Sequence, residues 1–306
     1  MTGVSHTQIK IFLTPSVRPG GENIVYSLKT SFNKELSFPI TPDLDESKLW
    51  SEHCGFWKNK IPENVYRICE YGFTKMVNNA KDHSGGTLVV VRSRLEGDLL
   101  ELSVCDDGIG VFTKIKETFH FDDEKESAFQ LSKGKLTTDS ANHSERVFFT
   151  SRAFDEFALD ANGLAYIRDN TEDDWFLEVA RKKMVFYPGS NEDFTSFGPR
   201  PRNDFKKYSD PETDSFDRTH ILVELALSGD ESFDSRSQAR RVLFKLEKFK
   251  HIILDFKGVK AVGQGFVDEV FRVFKNKHPD IKIEYINAND VVDFMIKRGI
   301  ATAQQR

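Results

Sequence analysis

The stretch that decides the fold runs from Ile61 to Gly86 and reads IPENVYRICEYGFTKMVNNAKDHSGG. Apolar or small residues recur along it at spacings of three and four, at Ile61, Val65, Ile68, Gly72, Met76 and Ala80. This is the period of one face of an α-helix, and the two glycines that close the stretch are typical of a helix end. The sequence therefore predicts one long helix that packs an apolar face against a core.

A column of polar residues runs along the same helix. Lys75, Asn79 and His83 are four residues apart, and Asp82 lies three beyond Asn79, so all four share one side. The amide oxygen of an asparagine is a ligand for a hard cation, and Mg²⁺ is held by few protein oxygens together with phosphates and water. The simpler interpretation is a helix face that contacts solvent.

The next two segments form a predicted strand pair. The sequence TLVVVRSRLEGDLLELSVC, residues 87–105, reads as two strands joined by a turn at Glu96, Gly97 and Asp98. The second strand is followed by DDGIG, residues 106–110. The Asp106 carboxylate could accept a hydrogen bond from an exocyclic amine, and glycines would leave room for a planar ligand. Taken alone, this motif is equally an ordinary turn.

Taken together and in this order, the two motifs resemble the Bergerat-fold ATP-binding superfamily. This superfamily includes gyrase-type, MutL-type and histidine-kinase-type ATPases and the anti-sigma-factor serine kinases. Its first box, an Asn followed by Ala on a helix, is matched by Asn79 and Ala80, and its Asp-x-Gly-x-Gly box by Asp106, Gly108 and Gly110. The resemblance implies that ATP is the cofactor, that Asn79 holds Mg²⁺ and that Asp106 binds the adenine amino group. It also places Asp82 and His83 beside the nucleotide.

From about Tyr26 onward, the chain resembles bacterial regulators that join this ATPase domain to a C-terminal STAS-like domain. The matching phrases include LSKGKLTTDSANHS, FFTSRAFDEF, SRSQARR, ILDFKGV, GQGFVDEVFRVF and INAND. The expected fold is α+β, with a Bergerat-type α/β sandwich followed by a small STAS-like α/β domain. We expect a tail or edge strand at 1–20, the ATP-binding domain at 21–190, a linker at 191–217 and the STAS-like domain at 218–306. The linker range is rich in Pro, Gly, Ser, Asn and Asp, and the alternating strands and helices after it predict parallel pairing.

One departure from the family bears directly on chemistry. Active relatives carry Glu four residues before the metal-binding Asn, where it orients or deprotonates the attacking group, and here that position holds Lys75. An ammonium group is not an anionic base. We therefore expect weak or absent hydrolysis, with Asp82 and Glu70 as weak substitute bases.

The predicted phosphate lid also departs from the family. Relatives carry a glycine-bearing run before the FFTSR phrase, whereas this chain has Glu145 and Arg146 there. Arg146 would attract phosphate, and Lys133 and Lys135 are further candidate phosphate contacts, unless these lysines are simply solvated. The long stretch that holds the lysines, residues 116–145, has too few apolar residues for an expected core element.

In the C-terminal half, the position of the phosphate-accepting Ser in STAS-class antagonists falls near Gln264, which cannot accept a phosphoryl group. Arg236, Arg240 and Arg241 lie on a predicted amphipathic helix and would either bind an anion or form a solvated basic face. We expect Asp268 and Glu269, on the facing helix, to pair with that basic face.

The net charge, the apolar runs and the cysteines narrow the class of protein and its compartment. A net charge of −5 argues against a general nucleic-acid surface, and no apolar run approaches the roughly 18 residues that would span a membrane. The scattered Cys54, Cys69 and Cys105 and the lack of a signal-peptide pattern favour reduced thiols in the cytoplasm.

Three functional hypotheses follow. The favoured one is an ATP- and Mg²⁺-binding regulatory protein whose nucleotide-dependent lid controls how the STAS-like domain meets a protein partner, with homodimerisation left open. The second is an active ATPase or serine/threonine protein kinase that acts on a partner in an anti-sigma-like pathway. The third is a nucleotide-free scaffold.

Overall fold

The computed structural model describes residues 7–13, 31–96, 99–134, 136, 151, 154–169, 174–179, 217–227 and 232–304. The chain forms two compact units: unit 1 comprises residues 1–120 and 149–201, and unit 2 comprises 121–148 and 202–306. The chain therefore passes between the units three times. This arrangement differs from the expected ATP-binding domain at 21–190, because residues 121–148 belong with the C-terminal part of the chain.

Unit 1 is built on a seven-stranded sheet in which every pairing is antiparallel. Its strand order is β2-β3-β4-β1-β5-β6-β7. The strands are β1 Thr7–Leu13, β2 Ser31–Pro39, β3 Leu88–Glu96, β4 Leu99–Asp106, β5 Glu156–Ala161, β6 Leu164–Asp169 and β7 Asp174–Val179. The predicted strand pair at 87–105 is confirmed as β3 and β4.

Two sequence expectations in unit 1 need correction. The expected tail or edge strand at 1–20 instead contains β1, which lies in the middle of the sheet between β4 and β5. The sequence TQIKIFL alternates polar and apolar residues, which is a strand signal that the expectation overlooked. The segment RVFFTSRAFDEFAL, residues 146–159, reads as a helix from its sequence, but its end forms β5, in which Phe157 and Leu159 are buried.

The helices described in unit 1 are α1 Glu46–His53, α2 Glu63–His83 and α3 Val111–Phe119. The long helix predicted from its apolar period is confirmed as α2, with the face containing Val65, Cys69, Gly72, Met76 and Ala80 buried. Phe73 on α2 packs against Trp50 of α1, whose indole nitrogen donates a 2.9 Å hydrogen bond to Tyr66. Burial of this aromatic cluster fixes α1 against α2.

The β3–β4 pair separates an apolar face from a polar one. On β4, Leu102 and Val104 are buried, and Val91 of β3 lies directly opposite Val104. Arg92 of β3 points to the other face, where it pairs with Glu35 of β2. Helix α2 packs against β4. The apolar face of the sheet therefore lies under α2, and any residue in phase with Leu102 and Val104 shares that protected side.

Unit 2 contains a parallel sheet of order β10-β9-β8, as the alternating pattern predicted. Its strands are β8 Arg218–Leu222, β9 His251–Asp255 and β10 Lys282–Ile286. Its helices include α4 Glu124–Ser132, α5 Arg236–Leu243 and α7 Asp290–Gln304. Between them, α6 consists of Gln264–Asp268, a π-helical segment Glu269–Phe274 and a final turn Lys275–Lys277.

Helix α4 is the unexpected member of unit 2. Residues 127–132 are all buried, and Phe129, at 1% exposure, belongs to the same apolar cluster as Leu254 of β9 and Phe266 of α6. The interpretation that 116–145 contains no core element is therefore wrong for α4. Its buried apolar residues are few, namely Ala128, Phe129 and Leu131, and a count of apolar content over thirty residues conceals them.

Among the described residues, every helix is too short or too polar to cross a membrane.

Candidate functional site

The junction of α2 and β4 in unit 1 carries the two motifs singled out in the sequence. Asp106 is the last residue of β4 and is in phase with Leu102 and Val104, so it lies on the face against which α2 packs. Asp106 is only 7% exposed. Asn79 lies on α2 and is half-buried. The structure therefore brings together the helix of the first motif and the strand end of the second.

The loop after Asp106 is pressed against the C-terminal end of α2. A Cβ atom on Gly108 would collide with the backbone carbonyl of Ser84, and Ile109 donates a 3.0 Å hydrogen bond to that same carbonyl. The Gly108 amide donates to the Asp106 carboxylate at 3.0 Å. Gly110 has a φ of 86°, in the region that favours glycine. Helix packing thus accounts for Gly108 and backbone conformation for Gly110, without reference to a ligand.

Asp107 has a structural role that the sequence interpretation missed. Its carboxylate accepts hydrogen bonds from the amides of Leu88 and Thr87 and from the Thr87 hydroxyl, at 2.7 to 2.9 Å. The hydrogen bond from Leu88 is the largest cause that lowers the pKa of Asp107. Of the two consecutive aspartates, the second ties the start of β3 to the loop, while the first faces the protected side of the sheet.

The polar column of α2 begins one turn earlier than the sequence suggested. The Lys75 ammonium lies 5.5 Å from the ring centroid of Tyr71, four residues before it, in a cation–π contact. Asn79 and His83 continue this line as half-buried residues, and Asp82 is exposed. Lys75 is thus positioned by an aromatic ring at the place where an acidic base was expected from the resemblance.

The end of α2 is closed by a residue that sequence reasoning did not select. Lys114 of α3 donates a 2.7 Å hydrogen bond from its ammonium to the backbone carbonyl of His83. A cation at a helix C-terminus satisfies an orphan carbonyl and interacts favourably with the helix dipole. Lys114 follows the DDGIG motif by four residues, so this contact also holds the motif, α3 and α2 together.

The donor set at the α2–β4 junction fits a magnesium ion that is held mainly by phosphate oxygens and water. Asn79 offers one amide oxygen, and Mg²⁺ sites of this class need few protein ligands. Among the described residues there is no cluster of three or more His, Cys, Asp or Glu side chains that could hold a metal by themselves. Any metal bound here would therefore depend on a phosphorylated ligand.

The candidate phosphate contacts of the predicted lid are not gathered at this junction. Lys133 lies in unit 2, is 3% exposed, and donates from its ammonium to the carbonyls of Arg241, Val242 and Phe244 at 2.9 to 3.4 Å. These carbonyls surround the terminal nitrogen, so this geometry lends no support to a phosphate contact. Burial lowers the pKa of Lys133 well below its ordinary value. Lys135 and Arg146 lie outside the described residues.

The expected pairing across unit 2 is confirmed. Arg236 of α5 donates to Asp268 of α6 at 2.8 Å, and Arg240 donates to the buried Glu269 at 2.9 Å. Arg241 donates instead to the carbonyl of Ala226 at 3.0 Å. The basic helix face is therefore neutralised in large part by the carboxylates opposite it.

Comparison with known families found one match. A family model described as "STAS-like domain of unknown function (DUF4325)" matches residues 238–293, which run from within α5 to the first turn of α7. Neither the curated proteins nor the solved structures gave a match. The chain thus has a mixed α/β architecture whose C-terminal part is STAS-like.

Proposed function

We propose that this chain is an ATP- and Mg²⁺-binding regulatory protein in which nucleotide occupancy of unit 1 changes the behaviour of the STAS-like unit 2. The observation that carries the proposal is the buried Asp106 carboxylate at the end of β4, on the sheet face against which the Asn79 helix packs. The Gly108 amide already donates one hydrogen bond to this carboxylate, and each carboxylate oxygen can accept more than one. The amino group of adenine would be a further donor.

The chemistry proposed for the two residues is complementary. Asp106 would accept a hydrogen bond from the adenine amino group, and Asn79 would direct its amide oxygen to Mg²⁺. The bound ion would neutralise part of the phosphate charge. Lys75 is itself a cation at the position where hydrolysis would need a base. Its cation–π contact with Tyr71 keeps the ammonium group in place. This combination favours binding without rapid turnover.

The nucleotide site proposed for unit 1 would be coupled to unit 2 through the polypeptide chain that connects them. One short helix, α3, follows the Asp106 loop, and the chain then enters unit 2 at residue 121. There, α4 contributes Phe129 to the core, Gln130 donates to the carbonyl of Arg241 at 2.9 Å, and Thr219 of β8 donates to the carbonyl of Lys133 at 2.9 Å. A change in the backbone after Asp106 would therefore act on an element that the STAS-like core contains.

The test is a set of thermal melts with and without ATP and Mg²⁺. A ligand at one hundred times its dissociation constant should stabilise the natural chain by about 2.7 kcal/mol. Asp106→Asn and Asn79→Ala should lose most of this gain, because each removes one of the proposed contacts. Asp43→Asn, which changes an exposed carboxylate of unit 1, is the matched control and should retain it.

Absence of stabilisation of the natural chain by either ATP or ADP would overturn the proposal in favour of a scaffold. Phosphate release is measured in parallel on the natural chain and on Lys75→Glu. Slow release that Lys75→Glu increases would support the role assigned to Lys75. Rapid release by the natural chain would instead make it an enzyme and refute the regulatory assignment.

A further inference from the structure

A small cleft opens between α6 and α7 in unit 2, remote in sequence from the motifs of unit 1. It encloses about 80 Å³. Helix α6 lines it with Gln264, Asp268 and Arg272, and α7 with Met295, Arg298 and Thr302. The spacings within each set are three or four residues, so each helix presents a single face to the cleft.

The floor of the cleft is formed by close helix packing. A Cβ atom on Gly299 of α7 would collide with the side chain of Val267 on α6. The two helices therefore approach closely at Gly299, while the longer side chains on either side of this contact form the walls. Because Val267 is buried in the core of unit 2, the floor is anchored and the cleft has a defined shape.

The charges around the cleft do not balance. Asp268 accepts hydrogen bonds from both Arg272 and Arg236, so one carboxylate serves two guanidinium groups. Arg298 also lines the cleft and is exposed, and within the described part of the chain it has no ion pair. The cleft lining thus carries two guanidinium groups, those of Arg272 and Arg298, and one carboxylate, that of Asp268. Arg236 lies outside the lining and is also 3.9 Å from Glu269. The excess positive charge favours an anion.

The size and the donors define the class of anion. A space of about 80 Å³ has room for several water molecules, which suits a single phosphoryl or carboxylate group. Guanidinium groups bind such oxyanions through paired N–H donors. The amide of Gln264 and the hydroxyl of Thr302 are neutral donors on opposite walls.

We infer that the α6–α7 cleft is a binding site for a small oxyanion, a phosphoryl or carboxylate group, held chiefly by Arg298 and Arg272. This inference is independent of the nucleotide site proposed for unit 1, since it concerns other residues in the other unit. Asp268 acts as an internal competitor, because it already occupies Arg272.

The test titrates the full chain with inorganic phosphate and, separately, with acetate, and follows the backbone amides of α6 and α7 by ¹H–¹⁵N NMR. Arg298→Gln should weaken the binding by about tenfold, because it removes a charged donor. Arg240→Gln is the matched control, since Arg240 lies on α5 and pairs with Glu269 outside the cleft lining; it should leave the binding unchanged. Asp268→Asn should strengthen the binding severalfold, because it releases Arg272.

The two probes separate the sources of the oxyanion. A response to phosphate alone assigns the site to phosphoryl groups, and a response to acetate assigns it to carboxylates. The inference is overturned if neither anion shifts the amides of α6 and α7, or if Arg298→Gln binds as tightly as the natural chain. It is also overturned if a folded Asp268→Asn protein binds more weakly, since that would make the carboxylate a part of the site.

Discussion

Two helices in this molecule have a lysine side chain bound to the backbone carbonyls at their C-terminal end, but the two lysines differ in burial. In unit 1, Lys114 of α3 donates to the carbonyl of His83 at the end of α2. In unit 2, Lys133 reaches the end of α5, where it donates to three carbonyls and lies over the rings of Phe129 and Phe244. Lys114 remains half-buried, whereas Lys133 is 3% exposed.

The difference shows how burial changes the role of one chemical group. Water can replace Lys114 at the His83 carbonyl, so this contact orients α3 more than it stabilises the fold. No such replacement is open to the carbonyls around Lys133, because a buried acceptor that loses its partner bears the full cost of desolvation. Lys133, which sequence reasoning assigned to phosphate binding, instead connects the end of α4 to the end of α5 through hydrogen bonds.

The largest effect is expected for Lys133→Ala. It should lower the free energy of unfolding of unit 2 by about 3 kcal/mol, because it removes the hydrogen bonds from Lys133 to the carbonyls of Val242 and Phe244 and opens space beside Phe129. Urea denaturation followed by circular dichroism measures this loss. Lys125→Ala, within α4 and half-buried, is the control and should cost less than about 0.5 kcal/mol. Equal losses in the two variants would contradict the role assigned to Lys133.

The second effect concerns pH. Burial holds the pKa of Lys133 in the folded protein well below the 10.5 that applies to the unfolded chain. Between these two values the unfolded chain binds a proton that the folded chain lacks, so stability rises with pH up to about 10.5 and is lost as pH falls. The contribution is at most about 1.4 kcal/mol per pH unit. The other groups titrate in the same way in Lys133→Met. The stability advantage of the natural chain over this variant should therefore grow as the pH rises towards 10.

Parallel stability curves for the natural chain and Lys133→Met over this range would show that Lys133 is charged in the folded state. The three carbonyl bonds would then outweigh desolvation.

The smallest effect is expected for Lys114→Met. Losing one half-buried cation at the end of α2 should cost about 0.5 to 1 kcal/mol, in the range of helix-dipole interactions. The loss should shrink in high salt, because a half-exposed charge is screened. Urea denaturation at low and high ionic strength measures both. A loss as large as that of Lys133→Ala would erase the distinction between the two helix ends.

Local periodicity predicted the elements whose partners are close in sequence. Helix α2, the β3–β4 pair and the parallel sheet of unit 2 follow from spacings of three to four residues, from alternation and from turn residues. These elements depend on patterns within a few tens of residues, which a sequence displays directly. The juxtaposition of the Asn79 helix with the Asp106 strand end was instead implied by the family resemblance.

Long-range partners were beyond the reach of the same reasoning. The central position of β1 depends on its pairing with β4 and β5, some ninety and one hundred and fifty residues away. Sequence reasoning treated Lys133 as a solvated or phosphate-binding residue, because the carbonyls that surround it lie more than one hundred residues later. Phe129 was overlooked for the same reason, since its core partners are equally distant in sequence. Asp107 and Lys114 were overlooked because their roles are defined by backbone atoms, which sequence motifs do not reveal.

The threefold passage of the chain between the units has a practical consequence for anyone dividing the protein for expression. A fragment that begins at residue 218, where the sequence marks the C-terminal domain, would lack α4 and with it a piece of its own core. The matched family range is shorter still. A self-sufficient C-terminal fragment would have to bring residues 121–134 back through a fused linker, and a simple truncation at the domain boundary would yield an aggregation-prone product.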